Sequence, residues 1–181
     1  AKERRANAFF RYATVVLLFL FVGASSLYLT RSLASDDSQM MTVSVPFGDH
    51  STVCLPDGTE IWLNSGSTLT YPSDFSSENR SISLKGEAFF DVRKNPSSPF
   101  HVSAGEIDIC VLGTKFNVNA YGGECPTEVM LVEGSVRLCS ATVSTMLVPG
   151  EKATLTDKGS FKGVSHDADP KIMLKDRCSI S

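Results

Sequence analysis

Five glycines, each set between stretches of alternating apolar and polar residues, constrain this chain more than any other feature. They occur in a recurring phrase: an apolar residue, any residue, Gly, then two to four residues leading into an alternating run. It reads LKGEAFFDV at Leu84–Val92, VLGTKFNV at Val111–Val118, LVEGSVRL at Leu131–Leu138 and LVPGEKATL at Leu147–Leu155. A looser copy, VPFGDHSTVCL, occupies Val45–Leu55. Gly48, Gly86, Gly113, Gly134 and Gly150 therefore fall between strands, where a sharp bend or positive φ is tolerated only without a Cβ. Repeated strand–Gly–strand corners wrap strands around a shared core. Their uneven spacing is too irregular for a regular β-helix and predicts a twisted β-solenoid-like or strongly bent β-sandwich.

The alternation runs from Thr42 to about Leu155, interleaved with Gly, Pro, Asn and Asp. It predicts strands over Met41–Val45, Ser51–Leu55, Glu60–Leu63, Thr68–Tyr71, Ser81–Lys85, Glu87–Val92 and Phe100–Ala104. Further strands are expected over Ile107–Leu112, Lys115–Ala120, Glu128–Val132, Gly134–Leu138, Thr145–Val148 and Glu151–Leu155. No sustained helical period appears in this region, so the domain over 42–156 is expected to be all-β.

Upstream, Ala13 to Leu29 holds 17 residues without a charge. At about 1.5 Å per residue a helix of that length covers roughly 26 Å, enough for a bilayer core. Lys2, Arg4, Arg5 and Arg11 precede it against Glu3 alone, which places residues 1–12 in the cytoplasm and the β domain outside. The run exceeds the apolar core of a secretion signal. The chain also starts at Ala1 rather than Met, so a retained single transmembrane helix within a longer protein is the expectation. Residues 30–41 read as a polar linker and 157–181 as a C-terminal tail.

Candidate chemistry is sparse. A net charge of −3 speaks against a nucleic-acid partner, which usually demands a basic excess. The five cysteines, Cys54, Cys110, Cys125, Cys139 and Cys178, include no CxxC pair, and the odd count cannot pair completely within one chain. His50, His101 and His166 lack metal-ligand spacing, so no metal or cofactor is expected. Glu87 and Asp91 share a strand face, but four residues along a strand separates them by about 13 Å, too far for paired-carboxylate catalysis. Asp57-Gly58 within Pro56-Asp57-Gly58 reads as a type I′ hairpin turn. Trp62, the one tryptophan, is either core packing or an exposed contact; together with Tyr71 and Tyr121 it is a candidate partner surface.

The segments STVCLPDGTEIWLNSGSTLTYPSDF, RSISLKGEAFFDVRKNPSSPFHVSAGEIDICVLGTKFNVNAY, EVMLVEGSVRL and LVPGEKATL follow one another in this order. Together, from about Val43 to Leu155, they resemble the periplasmic FecR domain of anti-sigma regulators, particularly those of Bacteroidetes. The resemblance implies a single-pass inner-membrane protein that is not an enzyme. A cytoplasmic segment before Ala1 would bind an extracytoplasmic-function sigma factor. The periplasmic β domain would receive a signal from the signalling domain of an outer-membrane TonB-dependent transporter. It also implies that the chain is cut short at both ends, because Asp167–Ser181 has neither the Trp-containing strand nor the room for the small α/β domain that usually follows. The alternative is a periplasmic glycan-binding module with Trp62, Tyr71 and Tyr121 as stacking rings.

Overall fold

A computed structural model of the chain describes residues 16–26, 39–123, 125–156 and 159–165. The chain forms two compact units, one within Ala1–Ser38 and one within Gln39–Ser181. The first contributes helix α1 over 16–26, whose Val16, Leu17, Leu18, Phe19, Leu20, Phe21 and Val22 are all exposed. Among the described residues no helix is long and apolar enough to cross a membrane. Both ends of the expected 13–29 span, residues 1–12 and the tail beyond 165 lie outside the described residues.

The second unit is built from strands, as the alternation requires. They are β1 (Met40–Ser44), β2 (Ser51–Cys54), β3 (Glu60–Leu63), β4 (Thr68–Pro72), β5 (Ser81–Asp91), β6 (Phe100–Ala104) and β7 (Ile107–Val111). They continue as β8 (Lys115–Ala120), β9 (Glu128–Glu133), β10 (Val136–Cys139), β11 (Ser144–Leu147), β12 (Lys152–Leu155) and β13 (Phe161–Ser165). β1 begins inside the stretch read as linker. β13 was not anticipated and pairs with β12 beyond the expected boundary at 156.

The strands divide into two sheets that share β5. Sheet A runs β1-β4-β5-β6-β7-β10-β11, and sheet B runs β2-β3-β5-β8-β9-β12-β13. The N-terminal half of β5 lies in sheet A, where Thr68↔Lys85 and Ser81↔His101 are in register. Its C-terminal half lies in sheet B, where Leu63↔Ala88 and Gly86↔Ala120 are in register. Among the described strands only β5–β6 is parallel. Elsewhere the chain lays down a hairpin in one sheet and then crosses to the other.

Alternation explains the core. In β5 the burial pattern keeps Ile82, Leu84, Ala88 and Phe90 inward while Ser81, Ser83 and Lys85 face out. One continuous apolar cluster results, including Ile61, Leu69, Phe100, Ile109, Phe116, Leu131, Leu138 and Leu147. At its centre Phe90 and Phe116 stack with centroids 4.8 Å apart and planes 13° apart. Burying each such side chain stabilises the fold by roughly 1.5–3 kcal/mol relative to leaving it exposed.

Candidate functional site

The phrase-bearing glycines mark where the chain changes sheets. Gly48 follows β1, Gly113 lies between β7 and β8, Gly134 between β9 and β10, and Gly150 between β11 and β12. Gly66, between β3 and β4, is a sixth such corner that the phrase did not reveal. Gly86 differs: the sequence places a strand break there, whereas β5 passes through it unbroken at φ 101° and bends from one sheet into the other. A Cβ on Gly86 would lie 2.7 Å from Ser67 Cα, and one on Gly113 (φ 149°) would lie 2.5 Å from Lys94 Cα. Backbone packs directly on backbone at these two positions. Ser67 holds the first together, its hydroxyl donating to Glu87 O at 2.9 Å and accepting from Glu87 N–H at 2.8 Å.

The Pro56-Asp57-Gly58 turn is not type I′. Gly58 N–H donates to Leu55 O at 2.9 Å and Leu55 N–H to Thr59 O at 2.9 Å, so Pro56 and Asp57 occupy the central positions. Proline fixes a negative φ and excludes the I′ form; Gly58 instead takes the positive φ, 84°, of a three-residue loop. Asp57 also does more than shape a turn. Its carboxylate accepts from Arg80 Nε at 2.8 Å, from Thr59 Oγ1 at 2.9 Å and from Thr59 N–H at 2.8 Å. Arg80 is buried, and its two remaining nitrogens donate to Ser98 O and Arg93 O at 2.9 and 2.7 Å. The guanidinium lies 5.2 Å from the Phe100 ring centre. This node ties the β2–β3 hairpin to the crossover between β5 and β6. Nothing local marks it, because Arg80 sits in the polar run SSENRSIS and reads as surface.

Trp62 lies outside the core. Ile61 and Leu63 point inward, and Trp62 is half-buried on the outer face of sheet B, 5.6 Å and 53° from Phe89. In register across that face are Thr52, Trp62, Phe89, Asn117 and Met130. In the neighbouring row Glu87 accepts from Asn64 Nδ2 at 2.7 Å, and its other oxygen accepts from Asn117 Nδ2 at 2.9 Å. Asp91 pairs with Lys115 at 2.9 Å. That hydrogen bond holds the Lys115 ammonium above the usual 10.5, helped by the Asp91 charge, with burial opposing and Glu133 and Glu60 adding at longer range. Both carboxylates flanking AFF are thus engaged in fixed pairs.

Tyr71 and Tyr121 do not join Trp62. Tyr71 belongs to sheet A, where it packs against the core and meets Phe75 edge-on at 6.2 Å. Tyr121 donates its hydroxyl to Ser65 O at 2.7 Å and lies four residues beyond Asn117, about 13 Å along the strand direction from the Trp62 row. The three rings form no common stacking platform. Among the described residues no group of three or more His, Cys, Asp or Glu is placed to hold a metal ion. His50 is exposed in the connection between β1 and β2 and His101 is exposed on β6, and Cys54, Cys110 and Cys139 carry no disulfide. His166 and Cys178 lie outside the described residues.

The fold is a two-sheet scaffold whose end strands leave open edges among the described residues. The family model described as FecR protein matches residues 41–137, just over half of the chain. The chain belongs to the FecR family. Among solved structures it is similar to two crystal structures of a candidate anti-sigma factor from Parabacteroides distasonis ATCC 8503, determined at 2.50 and 1.65 Å. The first is 33% identical with a TM-score of 0.64, covering 68% of this chain and 59% of that one. The second is 34% identical with a TM-score of 0.63, covering 67% and 58%. This chain thus spans just under three-fifths of each solved protein. No curated protein is similar enough to count as a match.

Proposed function

We propose that the chain is the anchored and exported part of an anti-sigma regulator, working through protein contacts and not through catalysis. The observation that carries this reading is the family match over 41–137, joined to the likeness of the β domain to the candidate anti-sigma factor. The charge-free run over Ala13–Leu29, basic before and acidic after, supports a single inner-membrane span with a cytoplasmic N-terminus and a periplasmic β domain. On this reading a sigma factor of the extracytoplasmic-function class binds on the cytoplasmic side. The signalling domain of a TonB-dependent transporter contacts the β domain. Such a contact transmits a signal only by favouring one of two states of the anchored protein. Sequence favours the relay over a glycan-binding module, and the separation of Trp62, Tyr71 and Tyr121 removes the platform that module would need.

The test is a tagged pull-down of the detergent-solubilised product of the native gene. Recovery of a sigma factor, lost when the residues ahead of Ala13 are deleted, supports the reading. Recovery of envelope proteins alone refutes the anti-sigma role.

A further inference from the structure

Four strands end the two sheets among the described residues: β1 and β11 in sheet A, β2 and β13 in sheet B. An open edge presents unpaired N–H and C=O groups and invites another strand unless charge, proline or irregularity blunts it. β13 carries Lys162 and a register shift against β12. β2, Ser-Thr-Val-Cys, has neither charge nor proline. With Leu55 N–H bonded to Thr59 O, the alternation of an antiparallel ladder turns the N–H and C=O of Thr52 and Cys54 to the open side. Both residues are exposed.

The β2 edge also has a shaped surround. A cleft of about 240 Å³ beside it is lined by His50, Ser51, Thr52, Trp62 and Leu63. Phe47, on the corner leading into β2, is 80% exposed, with its ring lying over Gly66. Acidic side chains flank the strand, with Asp49 before it and Glu60 directly opposite Cys54; both are exposed. Arg93 crosses Gly58 at the hairpin tip, past the end of β2.

We propose that the β2 edge is a docking site for an extended segment of a protein partner, which adds an antiparallel strand to sheet B. Antiparallel pairing follows because every existing pairing in sheet B is antiparallel. Registry then sets the partner's side chains. The residue opposite Thr52 shares the outer face with Trp62 and is bulky and apolar, entering the cleft. The residue before it in the partner lies opposite the half-buried Val53 and is aliphatic. The residue opposite Cys54 is Lys or Arg, reaching across the small thiol to Glu60. A second copy of β2 is a poor occupant, since it would bring Asp49 and Glu60 against their own equivalents. Backbone bonds supply affinity in this mode and alternate side chains supply specificity.

The inference rests on the relay reading and names its receiving surface. The peptide assay below decides the surface and the pull-down decides the anti-sigma role, so either can fail alone. Trp62 is the chain's one tryptophan and lines the cleft, so its emission reports occupancy. The full-length chain is titrated with a blocked seven-residue peptide centred on Arg-Val-Phe, with the same peptide N-methylated at the Phe amide, and with Glu in place of Arg. The expected result is a saturable change in Trp62 emission and slowed exchange of the Thr52 and Cys54 amides. N-methylation should weaken binding about fivefold or more, as loss of one backbone bond requires, and the Glu peptide should bind more weakly still. Thr52→Pro should bind at least about fivefold more weakly with an unchanged urea midpoint, because that N–H serves no bond within the domain. Absence of any Trp62 response, equal binding of the N-methylated peptide, or protection mapping to β1, β11 or β13 overturns the proposal.

Discussion

Removing the Asp57 carboxylate should destabilise the β domain far more than loss of an ordinary surface ion pair. The Arg80 side chain is 1% exposed and that of Asp57 4%, so neither charge can return to water when its partner goes. In Asp57→Ala the guanidinium keeps its bonds to Ser98 O and Arg93 O but loses the counter-charge it pairs with. Thr59, itself buried, loses both bonds to the carboxylate. An exposed pair contributes about 0–1 kcal/mol, whereas breaking a buried one costs about 3–5 kcal/mol. With a urea slope of about 2 kcal/mol/M, the midpoint should fall by roughly 1.5–2.5 M. Arg80→Met should also destabilise, because Asp57 is left facing an apolar chain. The double variant Asp57→Ala/Arg80→Met should cost less than the sum of the two, with a coupling of about 2 kcal/mol or more. Urea unfolding followed by Trp62 emission measures all four proteins. A midpoint shift below about 0.5 M for Asp57→Ala, or strict additivity in the cycle, would refute the reasoning.

Three further outcomes follow from the geometry. Gly86→Ala should abolish cooperative folding, since its Cβ meets Ser67 Cα, whereas Gly150→Ala meets nothing within 4 Å and should cost only about 1–2 kcal/mol for its positive φ; circular dichroism melts of the pair decide this. Raising the Lys115 pKa on folding adds stability that is complete below the unfolded value of 10.5 and disappears as pH climbs through the higher folded value. Lys115→Met should therefore lower the urea midpoint at neutral pH and converge with the parent in strong alkali, and a constant gap at all pH values would exclude the Asp91 pairing as the cause. Asn119 Oδ1 is buried without a hydrogen-bond partner, so Asn119→Val should be neutral or stabilise by up to about 1 kcal/mol, and a loss of about 2 kcal/mol in denaturant titration would contradict this.

Local strand structure was largely legible because alternation is a local signal. Glu60–Leu63, Phe100–Ala104 and Lys115–Ala120 stand as the sequence predicts. The break predicted at Gly86 fails for a physical reason: glycine can bend a strand without interrupting its ladder, and the pairing Gly86↔Ala120 keeps β5 whole. β13 escaped because Phe161–Ser165, with Gly163 in its middle, has too little alternation to stand out from a polar tail. The assignment of hairpins to sheets is set by long-range pairing, which no local pattern carries. For the candidate surface, Trp62 and the turn at Asp57 were visible as residues of interest, while their settings were not. Trp62 alternates with two apolar neighbours, so the pattern alone could not choose its face. The burial of Arg80 depends on a carboxylate 23 positions away and on two backbone carbonyls, none of which a sequence window contains.

The sharing of β5 between the sheets has a mechanical consequence. In an ordinary sandwich two sheets can slide past each other across a plane crossed only by loops and side chains. Here an unbroken extended backbone pierces that plane near its middle, bonded on both sides above it and on both sides below. The two layers behave like plates riveted by a common beam, so shear between them requires tearing the longest ladder in the domain. Force applied at one end of the stack emerges at the other as displacement of a single stiff body, with little absorbed by internal slip.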